Sequence, residues 1–158
     1  MILLLLSCSG GAPHPYLEAL ERLDPRPCLE LSQPARGECI VGTAEDLAHQ
    51  GRVEEAHEAC TLSEGAWLDE CHFLLADALD ARLEDADALC RLAGRHRPQC
   101  MAHAISREAR DLEAQGLEEQ ERIERLSLRW AQIVSPQRAR EEAERSVLGA
   151  TGRPRSPR

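Results

Sequence analysis

Lysine and asparagine are both missing from this 158-residue chain, and all 19 of its cationic side chains are arginine. A GC-rich bacterial genome produces this bias, because Lys and Asn codons are AT-rich. The absence of lysine rules out a Schiff base, a P-loop Lys and an S-x-x-K nucleophile. Without asparagine there is no amide of that type to ligate a metal or read adenine. Aromatic residues are scarce as well, with two Trp, one Tyr and one Phe. The core must therefore be built from Leu, Ala, Val and Ile. No apolar run is long enough to span a bilayer, and no alternating apolar–polar pattern announces a strand. The net charge is −9, even though the tail "GRPRSPR" is basic. An acidic body of this kind repels phosphate backbones, and no basic stripe with interleaved aromatics offsets it, so no nucleic-acid partner is expected.

At this length the chain has room for one domain of about five to seven helices. Its start, "MILLLLSCSGG", sets a short apolar run, Ile2 to Leu6, ahead of Ser7 and Cys8. Leu5-Leu6-Ser7-Cys8 resembles the bacterial lipobox, in which the Cys becomes the lipidated first residue of the mature protein. That resemblance implies export, lipidation at Cys8 and, from the Ser that follows the Cys, the outer membrane. The run lacks the positive n-region and the length usual for an export signal, which a start placed upstream would supply. Residues 1–7 are accordingly read as a signal segment. Residues 8–15, rich in Ser, Gly and Pro, are read as a flexible tether. Residues 16–148 form the folded domain, and 149–158 form a disordered basic tail.

Six cysteines remain beside Cys8: Cys28, Cys39, Cys60, Cys71, Cys90 and Cys100. They fall into pairs 11, 11 and 10 positions apart, with pair starts 32 and 30 apart. A fixed period of this size indicates repeat architecture. Other residues keep the same period. "RVEEAHEAC" (52–60) and "RLEDADALC" (82–90) share R-[VL]-E-[ED]-A-x-x-[AL]-C, and Glu or Gln precedes the second cysteine of each pair. Ala44, Ala76 and Ile105 stand five places after that cysteine. Leu47 and Leu79 stand eight places after it in the first two copies, and Glu108 in the third.

Each unit reads as two helices. Leu68, Cys71, His72, Leu75, Ala76 and Leu79 mark one face of the first, and Gly51 and Gly116 punctuate the turns that follow such helices. A second, shorter helix starts at Val53 or Leu83, with acidic residues in its first turn where the helix dipole favours them, and ends at a cysteine. The first cysteine of a pair thus closes one hairpin and the second opens the next. Two antiparallel helices leaving a common loop can bring their Cα atoms within the roughly 5.5–6 Å that a disulfide needs. Six cysteines allow 15 connectivities; the spacing selects 28–39, 60–71 and 90–100. Each bridge would contribute on the order of 2–3 kcal/mol in the chain-entropy model, and such bridges belong to an oxidising compartment.

The stretch "AEDLAHQGRVEEAHEAC" (44–60) resembles the tetratricopeptide-like α-hairpin repeats. Most closely it resembles the cysteine-rich, secreted Sel-like repeat proteins, in which a cysteine ending one hairpin is bonded to one opening the next. The likeness runs from residue 28 to about residue 124 and implies an exported fold with a general role in protein binding. The expected architecture is all-α: a short right-handed solenoid of α-hairpins stapled by disulfides and ended by a longer capping helix pair. In the third copy Glu124 stands where a final cysteine would fall, and "LEEQERIERLSLRWAQIV" (117–134) continues as a longer helix. It offers Leu117, Ile123, Leu126, Trp130 and Val134 for burial. Ser135 and Pro136 read as N-cap and N1 of a last helix that ends at Gly149.

The alternative to disulfides is metal ligation. Cys90, His96, Cys100 and His103 lie close together, and Cys60, Cys71, His57 and His72 repeat the mixture, so thiolates and imidazoles could hold zinc or copper. However, no C-x-x-C occurs, and the repeat keeps its cysteines in place while its histidines drift. No G-x-S-x-G and no C-x-x-C-H appears, and the Glu-Glu and Glu-Asp steps read as the solvated outer faces of helices. No enzyme and no cofactor are expected. Trp67, read as lying in the loop between Cys60 and Cys71, is either a plug beneath that loop or an aromatic contact for a partner. The expectation is a non-enzymatic, lipid-anchored envelope protein that binds a protein or peptide along the first helices of its hairpins. A Cys/His metal-binding helical protein and a purely structural envelope lipoprotein are the alternatives.

Overall fold

The computed structural model describes residues 14–80 and 83–150, and every regular element among them is helical. Helix α1 spans Pro15–Arg22 and is followed by a 3-10 turn, Arg26–Glu30. Then come α2 (Ala35–His49), α3 (Val53–Cys60), α4 (Ala66–Ala78) and α5 (Leu83–Leu92). A second 3-10 turn, Gly94–His96, leads into α6 (Arg97–Ala114), α7 (Glu119–Trp130) and α8 (Pro136–Ala150).

Local chemistry accounts for most of these boundaries. Helices α3 and α5 begin at Val53 and Leu83, as expected; α3 stops at Cys60, whereas α5 runs two residues past Cys90. After α2, Gly51 takes φ +75°, which lets its N–H reach Ala48 O (2.9 Å) and the Arg52 N–H reach Leu47 O (2.9 Å). Gly116, at φ +78°, repeats this pattern with Glu113 O and Leu112 O. A residue without Cβ accepts the left-handed conformation that closes a helix in this way. Asp80 fills the same role after α4 at φ 48°. The Ser135 hydroxyl accepts from Arg138 N at 3.4 Å, which makes it the expected N-cap of α8. That helix passes Gly149 and reaches Ala150, beyond the expected end.

Helix α1 lies against the first 3-10 turn and α2, and α2 against α3 and α4. Helix α4 lies against α5 and α6, and α6 against α7 and α8, which also pack on each other. The core is correspondingly divided in three. Ala19, Cys28, Cys39 and Ile40 form the smallest cluster. Val41, Leu47, Cys60, Cys71 and Leu75 belong to a second. The largest runs from Cys90 and Cys100 through Ile105, Ile123, Leu126 and Trp130 to Val147. Alanine recurs in all three, and a side chain this small lets helix axes approach closely.

Charged side chains also enter the α4–α6–α7 junctions, away from the Glu-Glu and Glu-Asp steps, which are exposed or half-buried where described. Glu108 is buried and paired with Arg129 of α7, Arg122 is buried and meets Glu113 of α6 at 3.1 Å, and Arg107 is buried and reaches Asp77 of α4. Helix α6 has 18 residues against 13 in α4. Its added length carries Glu108 and Glu113 alongside α7, where each finds an arginine. Charges taken out of water persist only when paired in this way.

Candidate functional site

All six cysteines of the folded domain are buried, and they pair as the spacing predicts. The Cα–Cα distances are 5.6 Å for Cys28–Cys39, 5.5 Å for Cys60–Cys71 and 5.6 Å for Cys90–Cys100. The bridges tie the first 3-10 turn to α2, α3 to α4 and α5 to α6, and each lies in a different core cluster. Cys8 lies outside the described residues.

Trp67 belongs to the first turn of α4 rather than to a loop. Its indole is half-buried and lies across Gly37 of α2, so that a Cβ built on Gly37 would stand 2.3 Å from Trp67 Cδ2. The side chain therefore fills the contact between α2 and α4.

The four residues of the metal alternative are not gathered around one point. Cys90 and Cys100 share a disulfide and have no thiolate to give. His96 and His103 both pack on the Phe73 ring, at centroid distances of 5.6 and 5.3 Å. His96 Nε2 lies 3.1 Å from Glu70, and His103 Nδ1 lies 3.0 Å from Asp77 Oδ1. Among the described residues no group of three His, Cys, Asp or Glu side chains could hold a metal ion. At Asp77, burial works to raise the carboxyl pKa, but the hydrogen bonds from His103 and Arg107 outweigh it and leave the group below 3.8.

The other histidine pair sits beside the Cys60–Cys71 bridge. His57 and His72 have ring centroids 5.7 Å apart, and His72 Nδ1 is 3.0 Å from Leu68 O. Burial, and secondarily the neighbouring His72, hold the His57 imidazole below its usual 6.5. In the unfolded chain His57 takes up its proton at that usual value, whereas in the folded chain it resists. Stability is therefore full above pH 6.5 and declines as the pH falls through 6.5 towards the folded pKa. Melting curves at about pH 7.5 and about pH 5.5 should show a fall for the native chain that is smaller in His57→Gln. Equal falls in the two proteins would remove His57 from the acid response.

Two surface grooves among the described residues are further candidate sites. One, of about 710 Å³, lies between the end of α1, the first 3-10 turn and α3. Its arginines are already paired: Arg26 with Asp24, Arg52 with Glu55, and Arg22 with Glu18. The other, of about 370 Å³, lies between the starts of α6 and α8. Its floor is apolar, formed by Pro98, Met101, Ile105, Trp130, Ile133 and Val134, while Arg97, Arg138 and Glu142 stand at its edge. The sequence marked Trp130 and Val134 only as core residues, and Met101 and Ile133 gave no separate signal. The groove exists because two helix starts, distant in sequence, come side by side.

Neither a protein-family model, a curated protein nor a solved structure matches this chain.

Proposed function

We propose that this chain is an exported, lipid-anchored repeat protein of disulfide-stapled α-hairpins that serves as a protein- or peptide-binding module at the outer membrane or the periplasmic face of the cell envelope. The successive packing of α2, α4, α6 and α8 carries the proposal. These four helices contact one another in turn, and α3, α5 and α7 each contact the two of them that flank it in sequence. This is how a tetratricopeptide-like or Sel-like solenoid presents a continuous binding face, and α7 with α8 takes the place of its capping pair. Three bridges that stiffen the links between hairpins suit a module that must hold its shape outside the reducing cytosol. The lipobox-like Leu5-Leu6-Ser7-Cys8 supports anchorage through Cys8.

The test is site-directed photo-crosslinking in the native envelope. A crosslinking residue at His103, exposed on the α6 side facing Asp77 of α4, should capture one defined protein partner. The same residue at Leu128, 73% exposed on α7, should not. Capture from neither position would leave a purely structural envelope lipoprotein as the better reading. The mass of the mature chain checks the anchor: it should begin at Cys8 and carry acyl chains.

A further inference from the structure

The geometry points to the groove between α6 and α8 as a binding site for a single-tailed anionic amphiphile, an acyl chain ending in a carboxylate or phosphate. This inference does not depend on the repeat or protein-binding reading.

Charge provides the first part of the argument. The protein carries a net charge of −9, yet this groove gathers positive potential. Arg97 and Pro98 are the first residues of α6, and Ser135 and Arg138 are the cap and third residue of α8, so both helices begin at the same opening. A helix N-terminus carries roughly half a positive elementary charge. The Arg97 and Arg138 guanidinium groups add to the two helix starts. Arg97 is shared with Asp87 at 3.2 Å, but the exposed Arg138 side chain has no described ion-pair partner. Glu142 is the one acidic residue in the lining. An anionic head group is the complementary occupant, and the basic tail of this chain is not.

The second part is the shape and chemistry of the floor. A volume of about 370 Å³ lies near the lower end of the ~300–1,000 Å³ typical of ligand sites, which suits one acyl tail rather than two. Such sites combine an apolar lining with a few polar groups that orient the ligand, and this groove does the same. Trp130 is 1% exposed, lines the groove and has a buried indole N–H with no acceptor among the described residues. An unpaired donor of this kind is costly in an apolar wall. The groove beside α1 and α3 lacks this combination, because each of its arginines has a carboxylate partner.

The experiment titrates monomeric dodecanoate into the intact, oxidised chain. Binding is followed by calorimetry and by Trp130 emission in a Trp67→Phe background. One saturable site and a shifted Trp130 emission are expected. Arg138→Gln, which alters an exposed side chain and leaves the core untouched, should weaken binding about tenfold through loss of a charge-assisted contact. Ala102→Phe, which projects into the groove from a half-buried lining position, should abolish it at an unchanged melting temperature. Dodecyl phosphate and a lysophospholipid form parallel arms. A preference for dodecanoate would assign a free fatty acid as the natural source, and a preference for either phosphate would assign a phospholipid product. The proposal is overturned by the absence of a saturable site, by dodecyltrimethylammonium binding as well as dodecanoate, or by wild-type affinity in both variants.

Discussion

Reduction of all three disulfides should unfold this protein at room temperature. Each bridge spans 10 or 11 residues, and closing a loop of that size removes about 2.7 kcal/mol of chain entropy from the unfolded state. Three independent bridges amount to about 8 kcal/mol, against the ~5–15 kcal/mol that holds a typical domain together. With four aromatic residues in the whole chain, little other packing can make up the loss. Far-UV circular dichroism in a thiol-free phosphine reductant would show a helical signal collapsing as the free-thiol count rises. A native spectrum and a native melting temperature with six free thiols in the folded domain would overturn the account.

Removing single bridges should discriminate further, because each occupies its own core cluster. Cys28 and Cys39 make up half of the smallest cluster. Their replacement by alanine should release α1 and the first 3-10 turn while α4 to α8 hold. Replacing Cys90 and Cys100, which sit in the cluster reaching Trp130 and Val147, should lower the main melting transition instead.

The second large effect is expected at Gly37. An added methyl group there would lie 2.3, 2.4 and 2.5 Å from Trp67 Cδ2, Cγ and Cε2, inside the rigid body of the indole. No rotation of a flexible tip relieves that overlap, so either Trp67 leaves its seat or α2 and α4 move apart. Overpacking of this kind costs about 3 kcal/mol, and Gly37→Ala should lose that much in a urea titration. Trp67→Leu on its own should cost about 2 kcal/mol through the space it leaves. Combined with Gly37→Ala it should be far less harmful than the sum of the two, with a coupling of about 1–3 kcal/mol. Additive losses would mean that Trp67 and Gly37 do not share the contact.

These two sites also separate what can be read along the chain from what cannot. The disulfide pairing was legible because it is a local matter: two helices that leave one short loop bring residues 10 or 11 apart within bonding distance. The starts at Val53 and Leu83, the turns at Gly51 and Gly116 and the Ser135 cap were legible for the same reason, since each depends on a few consecutive residues. Helix α1 was legible in principle, with Pro15 at its first position, Glu18 in its first turn and Arg22 in its last, but the proline-rich approach drew its start into the tether.

By itself, then, the sequence determined an all-helical chain and the partners of its six core cysteines. Tertiary structure alone decided that Trp67 rests on Gly37, that the buried Glu108 and Arg122 pair with Arg129 and Glu113, and that His96 and His103 both pack on Phe73. It alone set the starts of α6 and α8 side by side around an apolar floor. The physical reason is that helix periodicity and capping act over one or two turns. Steric complementarity, ion pairing and a shared groove arise between side chains on different helices, from nine to some 40 positions apart, and only the packing of successive helices selects them.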